Sequence, residues 1–137
     1  MRVLFIDTDA FLAKETAADQ HHRQAMDFWR DLKDKTPQLY SSQHILDETA
    51  TLLARRTNYA WAADWGHDVL AAGIQWLTAD DNDLQSAFAQ MRKYADQAVS
   101  FTDCLSFVLM KKGRVRDVFG FDSHFVAAGF RLWPEAS

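Results

Sequence analysis

The sequence is poor in the residues and segments that mark several classes of protein. It has one cysteine, Cys104, in 137 residues, which excludes an intramolecular disulfide and a cysteine-rich zinc site. No apolar run approaches the roughly 18 residues that a membrane-spanning helix needs. An apolar stretch followed by an acid stands at the start, where a signal peptide would have a basic and then an apolar segment. We therefore expect no signal peptide and a cytoplasmic location.

An excess of basic residues is also missing. The chain has 15 Lys and Arg against 19 Asp and Glu, for a formal net charge of −4. Proteins that bind nucleic acid usually carry a basic surface, so the overall charge counts mildly against this class. The objection weakens if several acids share one pocket and hold cations, because bound metal makes the local field attractive to phosphate.

What remains is the composition of a globular domain, with 48% hydrophobic and 25% charged residues. The length predicts one domain over residues 1–137. Apolar strand-like runs alternate with helical apolar stripes along the whole chain, and this alternation predicts a three-layer α/β/α sandwich around a mainly parallel sheet. The predicted strands are 3–6, 38–41, 74–77, 115–121 and 131–133; the predicted helices are 18–35, 42–56, 59–72, 78–96 and 100–112.

Two acids follow predicted strands directly. Val3–Ile6 reads as a strand buried on both faces and stops at Asp7, and the apolar run 118–121 stops at Asp122. Ligands of open α/β sheets bind beyond the carboxyl ends of the strands, where both acids would stand. A lone aspartate is more often a turn or cap residue, so the interpretation depends on whether further acids converge there.

Two more acids are candidates, each with a structural alternative. Glu48 lies near the apolar stripe of its predicted helix, where a glutamate is more often a boundary residue. Asp103 completes a Ser100-Phe-Thr-Asp sequence that has the form of a capping box. If all four acids met without metal they would repel strongly, whereas carboxylates are the ligands that Mg²⁺ prefers.

The positions of the aromatic and histidine residues favour structural roles over catalytic ones. Trp61 and Trp65 have helical spacing, which favours packing in the core or at a dimer interface over stacking on bases. His21 and His22 are adjacent and point about 100° apart on a helix, so we expect them at the surface rather than on a shared metal.

Four segments, taken together, resemble the PIN-domain ribonucleases, and in particular the VapC-type toxins of bacterial toxin–antitoxin pairs. They are Phe5-Ile6-Asp7-Thr8, the helix 45–50 that contains Glu48, Ser100-Phe101-Thr102-Asp103, and Phe121-Asp122-Ser123-His124-Phe125. Each motif is weak alone, but their order and spacing cover essentially the whole chain.

This resemblance implies an endoribonuclease that depends on Mg²⁺ or Mn²⁺. Asp7, Glu48, Asp103 and Asp122 match the family's four acids, which act as catalytic metal ligands, with Asp7 and Asp103 as the most direct ones. Thr8 and Ser100 match polar residues commonly found beside them. The implied partners are an RNA substrate, a second copy of the chain in a homodimer, and a small antitoxin protein.

One departure leaves alternatives open. Asp9 stands where the family usually has a small residue, so Asp7-Thr8-Asp9 also matches the opening motif of haloacid-dehalogenase-type phosphatases. In that interpretation Asp7 is the nucleophile and Asp9 the acid–base, but no convincing lysine follows and the chain is short for that fold with its cap. The third alternative is a PIN-like module that binds RNA or a partner without cutting.

Overall fold

Five short parallel strands form the centre of the molecule. The structure is a computed structural model that describes residues 2–135. The strands are β1 (Val3–Ile6), β2 (Gln38–Ser42), β3 (Gln75–Leu77), β4 (Asp117–Phe119) and β5 (Arg131–Trp133). Their order in the sheet is β3-β2-β1-β4-β5, and all four neighbouring pairs are parallel. The prediction of an α/β fold with a parallel sheet is confirmed.

Seven α-helices connect the strands within residues 2–135. They are α1 (Thr8–Glu15), α2 (His22–Lys33), α3 (Gln43–Arg56), α4 (Tyr59–Leu70), α5 (Asp81–Lys93), α6 (Phe101–Lys112) and α7 (His124–Ala127). The chain moves outward from β1 to β3 through α1–α4, then crosses to β4 and β5 through α5–α7. Right-handed crossovers place the two sets on opposite faces. Accordingly α1 packs on α2 and α3, and α6 packs on α5 and α7.

The core explains why β1 is uninterrupted by polar residues. Leu4, Phe5 and Ile6 are almost fully buried, because β1 is the central strand and helices cover it on both sides. Trp65 is buried beside Phe11, with the ring centroids 5.6 Å apart, as expected for a core residue, whereas Trp61 is more than one-third exposed. Among the described residues, no helix is both long enough and apolar enough to span a bilayer.

Three predicted element boundaries were wrong. The strand predicted over 115–121 is confined to β4, because Phe121 turns its N–H to the side chain of Asp9 instead of continuing the ladder. The helix predicted from residue 18 begins at His22, after turns in which the Asp19 carboxylate accepts from the N–H of His21. The helix predicted over 78–96 is α5, which begins later, at Asp81, and ends at Lys93. The short helix α7 was not predicted.

The two adjacent histidines also depart from the prediction of a free surface position. His21 stacks on Phe121, with ring centroids 4.2 Å apart and an interplanar angle of 2°. The Nδ1 of His22 hydrogen-bonds to the carbonyl of Ala13 at 2.7 Å. Both side chains are half-buried, since the segment that joins α1 to α2 folds back over the sheet edge and brings them against other parts of the chain.

Candidate active site

The acids meet where the sheet changes its direction of winding. The chain leaves β1 towards one face and leaves β4 towards the other, so a crevice opens beyond the carboxyl ends of these two neighbours. Asp7 follows β1 and is only 4% exposed, and its N–H donates to the carbonyl of Phe119 at 3.0 Å. Asp122 lies three residues beyond the end of β4, in the loop that faces the same crevice.

Asp9 joins Asp7 in this crevice. Its Oδ2 accepts from the N–H of Phe121 at 2.9 Å, while its Oδ1 is buried without a hydrogen-bond partner among the described residues. Burial raises the pKa of Asp9, and the charge of Asp122 adds to this. Burial, followed by the charges of Asp9 and Asp103, raises the pKa of Asp7 well above its usual range.

Asp103 approaches from the opposite face, in the first turn of α6. Ser100 caps that helix by accepting from the N–H of Asp103 at 3.1 Å. A complete capping box has a second bond, from the N-cap backbone N–H to the side chain three residues later. Helix α5 has this bond, between Asp80 and Asp83, but α6 does not, so the Asp103 carboxylate is left for the crevice. Burial, together with the hydrogen bond and charge of Asp122, raises the pKa of Asp103 to about 8.

Glu48 stands at the side of this group and is held from α6. Its Oε2 accepts from the hydroxyl of Thr102 at 3.2 Å, and its charge is one of the smaller causes that raise the pKa of Asp103. One turn earlier on α3, His44 contacts Ser42 at 2.7 Å and Ser106 at 3.0 Å. Burial lowers the pKa of His44 to about 4, so the imidazole is neutral. Its contact with Ser106 links α3 to α6 beside the acids.

The two polar residues that accompany the acids have different environments. Thr8 is buried, and its hydroxyl has no hydrogen-bond partner within residues 2–135. Ser100 is the N-cap of α6 and therefore acts on the position of Asp103.

His124 is a site residue that the sequence reasoning did not single out. Its Nδ1 lies 3.3 Å from Asp122 Oδ1 and 3.7 Å from Asp103 Oδ2. One ligand atom from each of these three residues lies within 4.8 Å of the others, a spacing that one metal ion can bridge. The one signal in the sequence was that His124 lies two residues after Asp122. The fold brings the two side chains together because α7 begins at His124.

The donor set suits a divalent cation. Buried Asp7 Oδ1, Asp9 Oδ1 and His124 Nδ1 have no hydrogen-bond partner in the part of the chain that the structure describes, although buried polar atoms are normally satisfied. Three carboxyl groups have raised pKa values because they are buried close to one another. A cation would satisfy the free oxygens and cancel the repulsion, and carboxylate oxygens are the ligands of hard cations.

Gly120 leaves the space that the acids need. A Cβ at this position would lie 2.9 Å from Asp9 Oδ1 and 3.2 Å from Asp7 Cβ. Asp9 cannot move freely, because its other oxygen is bound to the N–H of Phe121.

We expect Gly120→Ala to lower the free energy of unfolding by about 1–3 kcal/mol, the usual cost of overpacking. The matched control is Gly66→Ala in α4, where an added Cβ has no neighbour within 4 Å and should stabilise the helix by roughly 0.5–1 kcal/mol. Denaturant unfolding of both variants measures the difference. A Gly120→Ala protein with an unchanged free energy of unfolding would show that a Cβ at this position does not crowd the acids.

Comparisons with known proteins point to one family. The PIN domain family model matches residues 4–131. The 23S rRNA-specific endonuclease VapC20 of Mycobacterium tuberculosis is 32% identical over 130 residues, which cover 93% of this chain and 95% of the relative. The crystal structure of M. tuberculosis VapC20, described as a Sarcin-Ricin loop cleaving toxin, has a TM-score of 0.84 and 29% identity over 93% of this chain and 95% of that one.

Two more distant structures share the fold. VapBC2 from Rickettsia felis, bound to a DNA fragment from its promoter, has a TM-score of 0.67 at 10% identity, covering 95% of this chain and 96% of that chain. DNA-bound VapBC from Salmonella typhimurium has a TM-score of 0.61 at 14% identity, covering 96% and 97%. The family model spans nearly the whole chain, the alignment with VapC20 is equally long, and the acids converge at the switch point. The chain therefore belongs to the PIN domain family, among its VapC-type ribonucleases.

Proposed function

We propose that this protein is an endoribonuclease toxin that uses Mg²⁺ or Mn²⁺ held by Asp7, Glu48, Asp103 and Asp122, with Asp9 and His124 beside them. The observation that carries the proposal is the group of buried, mutually repelling carboxylates with unpartnered oxygens. A phosphatase of the haloacid-dehalogenase type, the alternative raised by Asp7 and Asp9, is ruled out by the family assignment.

The residues of the chain prepare this site in three ways. A bound divalent ion would supply positive charge for the RNA phosphate and a water molecule of lowered pKa. Asp7 and Asp103 reach the crevice from opposite faces of the sheet, so their carboxylates can hold a cation between them. Thr102 and Ser100 orient Glu48 and Asp103, and the neutral His44 fixes the helices from which they project.

His124 bears on the choice of ion. An imidazole nitrogen beside Asp103 and Asp122 makes a mixed donor set, whereas Mg²⁺ binds almost only oxygen. Mn²⁺ is therefore expected to bind more tightly than Mg²⁺, and His124→Ala should reduce this preference.

RNA and an antitoxin complete the proposal. The name of VapC20 makes 23S rRNA the first substrate to test, and the VapBC structures make an antitoxin the first protein partner to seek. We also propose that residues 1–137 form one PIN domain and that two copies pair as a homodimer. Exposed Tyr59 and Leu70 offer apolar surface for such contacts.

The test is cleavage of purified ribosomal RNA by the full chain. We expect cutting at a small number of positions with Mg²⁺ or Mn²⁺ and none after chelation with EDTA. Mapping the new RNA ends identifies the cleavage sites, and sedimentation velocity at micromolar concentration tests the dimer. Cutting that persists in EDTA would contradict a metal-dependent nuclease.

A further inference from the structure

The stacked pair of His21 and Phe121 separates two cavities. The rings are nearly parallel, with an interplanar angle of 2° and centroids 4.2 Å apart, and both side chains line the cavity on each side. His21 stands at the N-terminus of α2 and Phe121 in the loop after β4, so two distant parts of the chain build this ridge. Neither residue has a part in binding the cation proposed above.

One of the cavities opens onto the acids. It has a volume of about 260 Å³, and Asp9 and Asp122 line it together with Arg56. The side chain of Arg56 is 44% exposed, and its Nη1 lies 3.8 Å from Asp19 Oδ2. The backbone of Phe121 is held beside the acids, since its N–H donates to Asp9 Oδ2 at 2.9 Å. A group that rested on the ridge would therefore sit at a fixed position relative to the acids.

The other cavity is a larger groove along the edge strand β5. Its volume is about 910 Å³, and exposed Arg116 and Arg131 line it, with Asp117 and Glu135 as its acids. A third cavity of about 660 Å³ adjoins the groove at Arg116 and adds Lys111 and Arg114 without any acid. Four basic residues thus lie along one path in a protein whose net charge is −4. The path runs from the basic groove over the aromatic ridge to the acids.

A single strand of RNA is the ligand that needs both parts of this path. Proteins that bind single strands combine a positively charged groove for the backbone with aromatic side chains that stack on bases. A duplex keeps its bases stacked on one another, so it could use the arginines but not the ridge. The acids alone would repel an RNA chain, and attraction by the groove offsets that repulsion.

We propose that His21 and Phe121 form a base-stacking platform that holds one unstacked base of single-stranded or looped RNA next to the acids, while Arg116 and Arg131 bind neighbouring phosphates. This inference rests on the ribonuclease function proposed above and names the residues that would hold a base and the neighbouring phosphates of the substrate. It assigns His21 and Phe121 to substrate binding. The aromatic identity of the two residues then matters beyond their packing.

The experiment compares matched variants on short RNA hairpins that carry a fluorescent adenine analogue in the loop. Phe121→Leu and His21→Leu remove the aromatic rings but keep apolar volume and the backbone bond to Asp9, and Phe121→Tyr keeps an aromatic ring. Phe88→Leu is the control, because Phe88 packs against Phe101 in a tilted arrangement with ring centroids 4.5 Å apart and lines none of these three cavities. Quenching of the analogue reports stacking, and initial rates give kcat and KM.

We expect each leucine variant to lose the quenching and to raise KM on the order of tenfold, within the range that base–aromatic stacking contributes. Phe121→Tyr and Phe88→Leu should behave like the wild type. The double variant Arg116→Gln/Arg131→Gln should keep the quenching and flatten the plot of log affinity against log salt by about 1.4, or about 0.7 for each phosphate contact. The preference of the protein for looped over duplex RNA should fall only in the leucine variants.

Unchanged KM and quenching in both leucine variants would overturn the inference, and the groove would then be a surface for a protein partner. A loss of kcat with unchanged KM and quenching would also overturn it, because the pair would then only position Asp9. The proposed function fails in a different way, namely if the wild type does not cut RNA with either metal. Quenching by the wild type can be measured even then, so the two failures are distinguishable.

Discussion

Replacing Asp103 with asparagine is expected to reduce RNA cleavage at least about a thousandfold while leaving the protein folded. The metal would lose a ligand and part of the charge that balances it, and metal-bound stabilisation of the transition state is worth several kcal/mol. Folding should survive, because asparagine resembles the neutral carboxyl that the crevice favours when metal is absent, as the raised pKa of Asp103 shows. Single-turnover cleavage with saturating Mn²⁺ measures the loss.

Asp47→Asn is the matched control for this change. Asp47 is exposed on α3 next to Glu48, so the substitution removes the same charge from the surface without touching the crevice. Its cleavage rate should stay within about twofold of the wild type, since surface changes away from special features have small effects. An Asp103→Asn protein that cuts as fast as Asp47→Asn would show that Asp103 only caps α6.

The metal-free protein is expected to become less stable as pH rises from about 4 through about 8. A carboxyl group in the unfolded chain has a pKa near 4, whereas burial and Asp122 raise the pKa of folded Asp103 to about 8. Between these values the folded state binds more protons than the unfolded state, so the free energy of unfolding falls with pH and levels off above 8. Asp7 and Asp9 act in the same direction.

Divalent metal should reverse this loss, because it binds the deprotonated acids of the folded form. At ten times its dissociation constant a ligand stabilises by about 1.4 kcal/mol, which corresponds to roughly 4–6 °C in Tm for a chain of this size. Thermal melts at several pH values, with EDTA and with Mg²⁺, measure both effects. Asp103→Asn should raise the metal-free Tm and weaken the Mg²⁺ response together, whereas Asp47→Asn should do neither.

A metal-free Tm that rises between pH 5 and pH 8 would contradict the crowded-acid description of the crevice. So would an Asp103→Asn protein with a lower metal-free Tm and an undiminished response to Mg²⁺. Either result would mean that these acids are structural and that the cation binds elsewhere.

The sequence alone determined the order of the five strands and of the helices α2–α6, and the positions of the two acids at the switch point. These features depend on local patterns: the unbroken apolar run of β1 indicates burial on both faces, and the helical stripes indicate one buried face. Asp7 and Asp122 follow their strands closely in sequence, so the parallel sheet brings them to one edge by its geometry. The order and spacing of the four acids then indicated the family.

Only the tertiary structure decided which other groups reach the crevice. Asp9 joins the site because its carboxylate accepts from Phe121, which also shortens β4, and His124 joins because α7 starts beside Asp103. The half-formed cap at Ser100 and the stack of His21 on Phe121 likewise depend on contacts between segments far apart in the chain. Spacing along a sequence carries local periodicity, but the direction of a side chain in a loop is set by partners that the fold supplies, and no local pattern encodes them.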